Sequence, residues 1–353
     1  MHMRDLFRPK EREILDLLEL QSRLAPDVLE IMQKRYRVLH HIYLMQPIGR
    51  RNLSQSLGWT ERTLRAEVDF LKIQGLVDIE SIGMRLTDEG YRLLQEVYPY
   101  IKKLFGLIEL EQKLQEKLQI PRVIVVAGNV DEDELVRKEM GRAVANLMRQ
   151  LVEENDTIAI TGGSTVAEVA NMIIENPQLN SVLFIPARGG VGENHEYQAN
   201  TIVSQMAKKT SGKYQLFYVP DILSEETYNS LIKESHIQES MAKIRSARIL
   251  IHCIGNAKIM AEKRGVDQNT LDFLDKYQAT GEAFGYYFAE DGKIVHKMNI
   301  IGLKLEDLDN IPNIIAIAGG RTKAKAILSV LKYNFNQTLV TDEGAAKEML
   351  KLI

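Results

Sequence analysis

From Pro121 to the C-terminus, short apolar runs alternate with amphipathic stretches of helical period. The apolar runs are RVIVVA, TIAIT, SVLFIPA, YQLFYV, ARILIHC and NIIAIA, and a last one, QTLVT, precedes a terminal helix over 344–352. Runs that are apolar throughout are typical of parallel strands buried on both faces, with the intervening helices covering those faces. We therefore predict an α/β domain over 121–353, with a mostly parallel sheet and helices on both faces. Ligands of such sheets bind at the carboxyl ends of the strands.

One strand-end loop carries the features of a phosphate site. The sequence Thr161-Gly162-Gly163-Ser164-Thr165 lies directly between the run TIAIT and a predicted helix. Glycines let backbone N–H groups approach an anion, hydroxyls add donors, and a helix N-terminus contributes partial positive charge. A tight turn without a ligand also favours glycine, so both interpretations stand at this point.

Cationic residues follow three other predicted strands. Arg188 follows SVLFIPA, Lys263 and Arg264 follow ARILIHC, and Lys323 lies in AGGRTK after NIIAIA. Each alone is compatible with a surface charge, but several separated cationic loops at one sheet edge suggest a ligand with two anionic ends. Glu282, between the glycines of GEAFGYYF, is either an acceptor for sugar hydroxyls or a turn carboxylate.

The N-terminal part of the chain contains a basic segment that the overall charge conceals. The whole chain of 353 residues has a net charge of −3, which by itself argues against a nucleic-acid partner. Within 31–75, however, eight basic residues stand against three acidic ones. This asymmetry makes the segment a candidate for binding DNA.

The pattern in this segment predicts a winged helix-turn-helix. A helix over 25–46 is stopped by Pro47, a short helix over 50–57 ends at Gly58, and Thr60 is placed to cap a third helix. Two short strands around Ile82-Gly83 then predict a hairpin wing. The third helix would enter the major groove. The predicted DNA contacts are Arg50, Arg51, Thr60, Glu61, Arg62, Thr63 and Arg65. A three-helix scaffold that mediates protein contacts is the alternative.

We expect four segments along the chain. They are an N-terminal helix over 1–24 for packing or dimerisation, the winged helix-turn-helix over 25–87, a helical linker over 88–120, and the effector-binding and oligomerisation domain over 121–353. Pro99 is expected to break or kink the linker. The linker's leucines lie near heptad spacing, so it is either a short dimer seam or an amphipathic helix on its own domain.

Several chemistries and compartments are disfavoured by the sequence. It has no Walker A motif, no GxGxxG fingerprint and no pair of histidines at metal-ligand spacing, so we expect no metal site. The single cysteine, Cys253, is interpreted as a small core residue on a buried strand, and His195 as a solvated loop histidine that merits testing. No apolar run is long enough for a membrane span, and the charged N-terminus lacks a signal peptide. We expect a soluble cytoplasmic protein without a membrane partner.

The motifs TGGST, ARGG, GEAFGYYF and AGGRTKAKA behind a winged helix-turn-helix resemble the SorC/DeoR-type sugar-responsive bacterial repressors. The resemblance extends over nearly the whole chain. In that family the effector domain is similar to sugar-phosphate isomerases and glucosamine-6-phosphate deaminases but has no catalysis. The resemblance implies a repressor of a glycolytic operon, bound to operator DNA as a dimer or tetramer and released by fructose-1,6-bisphosphate.

The resemblance also implies a set of effector contacts. These are Gly162, Gly163, Ser164 and Thr165 around one phosphate, Arg188 and Gln198 nearby, and Lys263, Arg264, Glu282 and Lys323 completing the site.

One alternative function remains, an active sugar-phosphate isomerase-like enzyme with an accessory DNA-binding domain. Ribose-5-phosphate isomerases carry a DGADE stretch that supplies catalytic carboxylates, whereas the comparable loop here reads Ile254-Gly255-Asn256-Ala257-Lys258. General-base proton transfer therefore lacks its obvious agent, although Asp267 or Glu282 could substitute. We expect a regulator with no catalytic residue and no cofactor.

Overall fold

The computed structural model describes residues 24–190, 195–220, 223–333 and 336–353. The helix expected over 1–24 therefore lies, except for its last residue, outside the described residues. The chain divides into two compact units, one ending at Gly106 and the other running from Leu107 to Ile353. This division falls within the predicted linker over 88–120.

The first unit contains four described helices and a hairpin. The helices are Pro26–Met45 (α1), Arg50–Leu57 (α2), Glu61–Ile73 (α3) and Asp88–Leu104 (α4), and the strands are Val77–Glu80 (β1) and Gly83–Leu86 (β2). Gly58 ends α2 with φ +67°, a conformation that costs glycine little. Thr60 caps α3, since its side chain accepts a hydrogen bond from the N–H of Thr63 at 3.2 Å. The local signals in the sequence thus set these helix ends.

The hairpin turn differs from the expected one by a single residue. Glu80 pairs with Gly83, so Ser81 and Ile82 form the turn and Gly83 belongs to β2. Gly83 has φ +138°, and a Cβ at this position would lie 2.8 Å from the backbone N of Ile48. Both the positive φ at the start of β2 and the close approach of the segment before α2 therefore require glycine at this position.

Of the break or kink expected at Pro99, the break does not occur. Helix α4 continues through Pro99 to Leu104, and the chain breaks at Gly106, which has φ +68°. The next helix, Leu107–Leu118 (α5), belongs to the second unit, where Leu107 and Leu114 are buried. A side-chain oxygen of Glu111 accepts a hydrogen bond from the N–H of Val125 at 2.7 Å. Helix α5 thus packs as an amphipathic helix on its own domain.

The second unit is built around a seven-stranded sheet in which every described pairing is parallel. Its strands are Arg122–Val126 (β3), Thr157–Ile160 (β4), Leu183–Pro186 (β5), Lys213–Tyr214 (β6), Ile249–Cys253 (β7), Asn313–Ile317 (β12) and Thr338–Asp342 (β13), in the order β3-β13-β12-β7-β4-β5-β6. Ile249 and Ile251 of β7 lie in the main core cluster, and Leu250 between them is buried as well. Burial on both faces explains the continuous apolar runs.

Helices flank this sheet, in agreement with the predicted fold class. The remaining helices are Glu134–Leu151 (α6), Ser164–Met172 (α7), Ala199–Thr210 (α8), Glu225–Leu231 (α9), Ser235–Arg245 (α10), Ala257–Arg264 (α11), Gln268–Lys276 (α12), Ala324–Leu331 (α13) and Glu343–Leu352 (α14). Among the helices that the structure describes, none is both long enough and apolar enough to cross a membrane.

The strand expected over YQLFYV was overestimated. Only Lys213–Tyr214 pairs with β5. Further along, the backbone N–H and C=O of Phe217 bond to the side-chain amide of Asn200, at 2.8 and 3.2 Å. This side chain takes the place of a neighbouring strand, so the run leaves the sheet.

A second sheet was not expected from the sequence. Gly255–Asn256 (β8), Ala279–Ala283 (β9), Tyr286–Ala289 (β10) and Ile294–Lys297 (β11) form an antiparallel sheet in the order β11-β10-β9-β8. The segment GEAFGYYF is its central hairpin, with Phe284 and Gly285 at the turn, both at positive φ. This hairpin brings Glu282 towards the carboxyl ends of the parallel strands.

Candidate functional site

A cavity of about 160 Å³ opens at the carboxyl ends of β4, β5, β7 and β12. These four strands are neighbours in the sheet, so the loops that follow them adjoin although they are far apart in sequence. The cavity brings together all ten residues of the predicted effector set: Gly162, Gly163, Ser164, Thr165, Arg188, Gln198, Lys263, Arg264, Glu282 and Lys323.

The TGGST loop has the close packing that requires its two glycines. A Cβ on Gly162 would lie 2.7 Å from the carbonyl oxygen of Tyr197, and one on Gly163 would lie 2.9 Å from Sγ of Cys253. Gly163 has φ +135° and precedes the first residue of α7. The first N–H groups of a helix have no partner within the helix, and Ser164 and Thr165, which begin α7, both line the cavity. The loop can therefore receive an oxyanion.

A buried ion pair forms another wall of the cavity. Nη2 of Arg264, at the end of α11, lies 2.9 Å from Oε1 of Glu282, and the same oxygen accepts the N–H of Gly285 at 2.7 Å. Burial alone raises the pKa of Glu282, but the attraction of Arg264 and Arg188 and the N–H of Gly285 outweigh it, so the pKa lies below its usual value. Glu282 is thus ionised at neutral pH and holds Arg264 in place.

The second glycine-rich loop, AGGRTK, does not present its amides to the cavity. The N–H groups of Gly320 and Thr322 donate to Asp342 and Asp131, both at 2.9 Å. The cavity receives Lys323 from this loop. Burial is the main cause that lowers the pKa of the Lys323 amine from its usual value, and nearby cations lower it further. The apparent repeat of the TGGST pattern therefore contributes one cation and no oxyanion nest.

Cys253 is more than the core residue that the sequence suggested. It ends β7, packs partly against the core and also lines the cavity. Its Sγ donates to the carbonyl oxygen of Gly162 at 3.1 Å. Burial raises the pKa of this thiol, and the charge of Glu282 raises it further. The protonated thiol thus braces the TGGST loop.

In the first unit, six of the seven predicted DNA contacts are exposed. These are Arg51, Thr60, Glu61, Arg62, Thr63 and Arg65. Arg50 is half-buried, and its Nη2 lies 3.5 Å from a carboxylate oxygen of Asp69. The apolar stripe Leu64, Val68 and Leu71 of α3 is buried, which turns Arg62 and Arg65 outwards. Helix α3 thus presents a polar N-terminal face suited to a DNA groove.

The comparisons with known proteins agree with both units. The model of the CggR N-terminal DNA-binding domain matches residues 31–101, and that of the sugar-binding domain Sugar-bind matches residues 102–351. The central glycolytic genes regulator of Bacillus subtilis is 48% identical over 335 residues, which cover 95% of this chain and 98% of the relative. The chain belongs to the family of central glycolytic genes regulators.

Solved structures support the same assignment. A chain from Enterococcus faecalis, described as a SorC family transcriptional regulator, is 42% identical, with a TM-score of 0.65 over 69% of this chain and 99% of that one. The full-length sorbitol operon regulator SorC from Klebsiella pneumoniae shares the fold, with 22% identity and a TM-score of 0.65 over 86% of this chain and 94% of that one. The predicted family and fold class are confirmed.

As a member of this family, the chain is a transcriptional regulator with a DNA-binding domain and a sugar-binding domain, and it is not an enzyme. The carboxylates considered as substitute bases have other roles. Asp267 is exposed and caps α12 through the N–H of Thr270 at 2.9 Å, and Glu282 is paired with Arg264. Within the described residues, no group of three or more His, Cys, Asp or Glu side chains could hold a metal ion.

Some cavity residues of this regulator carried no signal in the sequence, whereas the interpretation of His195 as a solvated histidine agrees with its exposure. Tyr197 and Met260 line the cavity without any motif that marks them, because they arrive from a short 3-10 helix and from the middle of α11. Phe284 lines it from within the motif GEAFGYYF, whose hairpin was not expected. His195 is exposed and is not among the described lining residues. One of its ring nitrogens lies 3.3 Å from Oγ1 of Thr201.

Proposed function

We propose that this regulator represses a glycolytic operon and that fructose-1,6-bisphosphate, bound in the cavity, relieves repression. The observation that carries the proposal is the charge of the cavity. Four cationic side chains line it, against Glu282 as the one carboxylate among the described lining residues. Such an excess of positive charge suits a ligand with more than one anionic group.

The arrangement favours two separate phosphate subsites. Ser164 and Thr165 offer hydroxyls and helix N-terminal amides for one phosphate. Lys263 and Arg264 come from the opposite end of another helix, α11, and Lys323 comes from the loop after β12. Because these groups are anchored on different loops, a bisphosphate would bridge them, whereas a monophosphate would engage only part of the set.

Operator binding is assigned to helix α3 in paired subunits. Its exposed N-terminal residues would read base edges, and the hairpin β1–β2 would serve as the wing. Two copies bound to half-sites about one helical turn apart, or a multiple of it, would form the dimeric or tetrameric repressor in the cytoplasm. The effector would act by binding more tightly to the assembly that holds DNA weakly, since a ligand shifts an equilibrium only through differential affinity.

The test is a fluorescence anisotropy titration with a DNA fragment that the purified protein has selected from a random library. We expect fructose-1,6-bisphosphate to weaken DNA binding with a saturable dependence, while unphosphorylated fructose has no effect. Fructose 6-phosphate, the matched monophosphate, should act only at much higher concentration. A DNA affinity that is the same with and without millimolar bisphosphate would refute the proposed response.

A further inference from the structure

A second cavity, of about 110 Å³, lies beside the antiparallel sheet in the same unit. Its polar lining includes Tyr228, Tyr286, Lys297, Asn299 and Lys304. Phe284 lines this cavity and the effector cavity, and it is the one described residue that the two linings share. The second cavity is therefore a neighbour of the first, with its own set of polar groups.

The polar groups of this cavity favour an anion. Nζ of Lys297 lies 5.3 Å from the ring centroid of Tyr286, and Nζ of Lys304 lies 5.7 Å from that of Tyr228. No acidic side chain is present among the described residues of the lining. The ammonium groups of Lys297 and Lys304, the phenols and the side-chain amide of Asn299 are all hydrogen-bond donors.

The hydroxyl of Tyr286 gives a second, independent indication of a ligand. Tyr286 is 5% exposed, and its hydroxyl is buried without a hydrogen-bond partner within the part of the chain that the structure describes. A buried polar group without a partner is costly, and such groups are rare in native structures. A ligand that accepts this hydroxyl's hydrogen bond would remove the cost.

We propose that this cavity binds a phosphate-type oxyanion, either inorganic phosphate or the phosphoryl group of a small monoester. Lys297 and Lys304 would supply the charge, and the Tyr286 hydroxyl would donate a hydrogen bond from the buried end. The size of the cavity suits a small group of this kind and not a second large sugar ligand. The inference concerns residues outside the effector set, so it does not depend on the proposed function.

The experiment measures the thermal unfolding temperature of the full chain with increasing potassium phosphate, at an ionic strength held constant with potassium chloride. For the wild-type chain we expect the unfolding temperature to rise with phosphate concentration and to saturate, because a ligand that binds the native state stabilises it by mass action. The Tyr286→Phe variant keeps the ring but loses the hydroxyl, and should lose most of the saturable rise. Lys297→Gln should also reduce it. Tyr218→Phe, at an exposed tyrosine outside the cavity, is the matched control and should keep it.

The effector-cavity variant Arg188→Ala separates the two sites. If the rise persists in Arg188→Ala and disappears in Tyr286→Phe, the second site is supported. If it disappears in Arg188→Ala and persists in Tyr286→Phe, phosphate binds only in the effector cavity and the proposal is wrong. An identical rise in all variants, or none in any, also overturns it. A parallel titration with glycerol 3-phosphate then shows whether the site takes the free ion, the monoester or both.

Discussion

Arg264 and Glu282 are joined by a charge-assisted hydrogen bond of 2.9 Å, and their side chains are only 2% and 5% exposed. They come from a helix and a hairpin that belong to different parts of the second unit. Tyr287 is also within 3.2 Å of the same guanidinium. The pair therefore fixes the hairpin against the helix that carries Lys263, and the wall of the effector cavity depends on it.

Removing one partner of this pair should destabilise the protein strongly. Glu282→Ala leaves a buried guanidinium without its carboxylate, and we expect a loss of about 3–5 kcal/mol in the free energy of unfolding. Urea-induced unfolding gives the measurement. Lys258→Ala, which breaks the exposed pair with Asp275, is the control and should cost less than about 1 kcal/mol. Equal effects of the two substitutions would contradict the structural role given to Glu282.

Stability should fall as the pH is lowered from about 6.5 towards 4, because of His252. Burial lowers the pKa of His252 from 6.5 to about 4. Between these values the unfolded chain binds a proton at His252 that the native chain does not. The contribution of His252 to the free energy of unfolding is therefore complete above pH 6.5 and is lost as the pH falls towards 4. The contribution is about 3 kcal/mol.

The measurement is urea unfolding of the wild type and of His252→Gln at pH 7 and at several pH values between 6.5 and 4. The free energy of unfolding of His252→Gln should decline less between pH 6.5 and 4 than that of the wild type. His195→Gln removes an exposed histidine and should leave the decline unchanged. Parallel curves for wild type and His252→Gln would show that another group controls this pH range.

Arg65 should carry sequence specificity if α3 reads the major groove. We expect Arg65→Ala to cost about 1–3 kcal/mol for a selected operator while sparing non-specific DNA binding. Lys72→Ala, at the other end of the same helix, should have little effect on specificity. Anisotropy titrations of both variants with selected and with scrambled DNA measure specific and non-specific affinity separately. A uniform loss on all DNA would instead make Arg65 a phosphate contact.

The TGGST loop and Arg188 should govern the effector response without affecting DNA binding. Thr165→Ala removes a hydroxyl at the cavity wall, and Arg188→Ala removes a cation. Each should greatly reduce the effect of fructose-1,6-bisphosphate on DNA affinity, while the affinity without effector stays as in the wild type. His195→Ala, outside the described lining, should respond normally. A normal response of both cavity variants would place the effector elsewhere.

Local patterns in the sequence were sufficient for most of the architecture. The Thr60 cap, the stop at Gly58 and the continuous apolar runs depend on neighbours within a few residues, or on burial of both faces of a strand. The rule that ligands bind at the carboxyl ends of parallel strands predicted where the cavity lies. It singled out loops as far apart as Gly162 and Lys323, and the strand order brings them together.

Several features that the sequence did not predict have another cause in common. The N–H of Gly320 bonds to Asp342, the backbone of Phe217 bonds to Asn200, and Glu282 pairs with Arg264. In each case a polar group finds its partner in another element, and no local period or motif encodes that choice. The sequence by itself determined the helix-turn-helix elements, the parallel sheet and the loops that meet at the edge of that sheet. Only the tertiary structure decided which amides, carboxylates and cations at that edge are already bonded to one another, because those bonds depend on distances between segments remote in the chain.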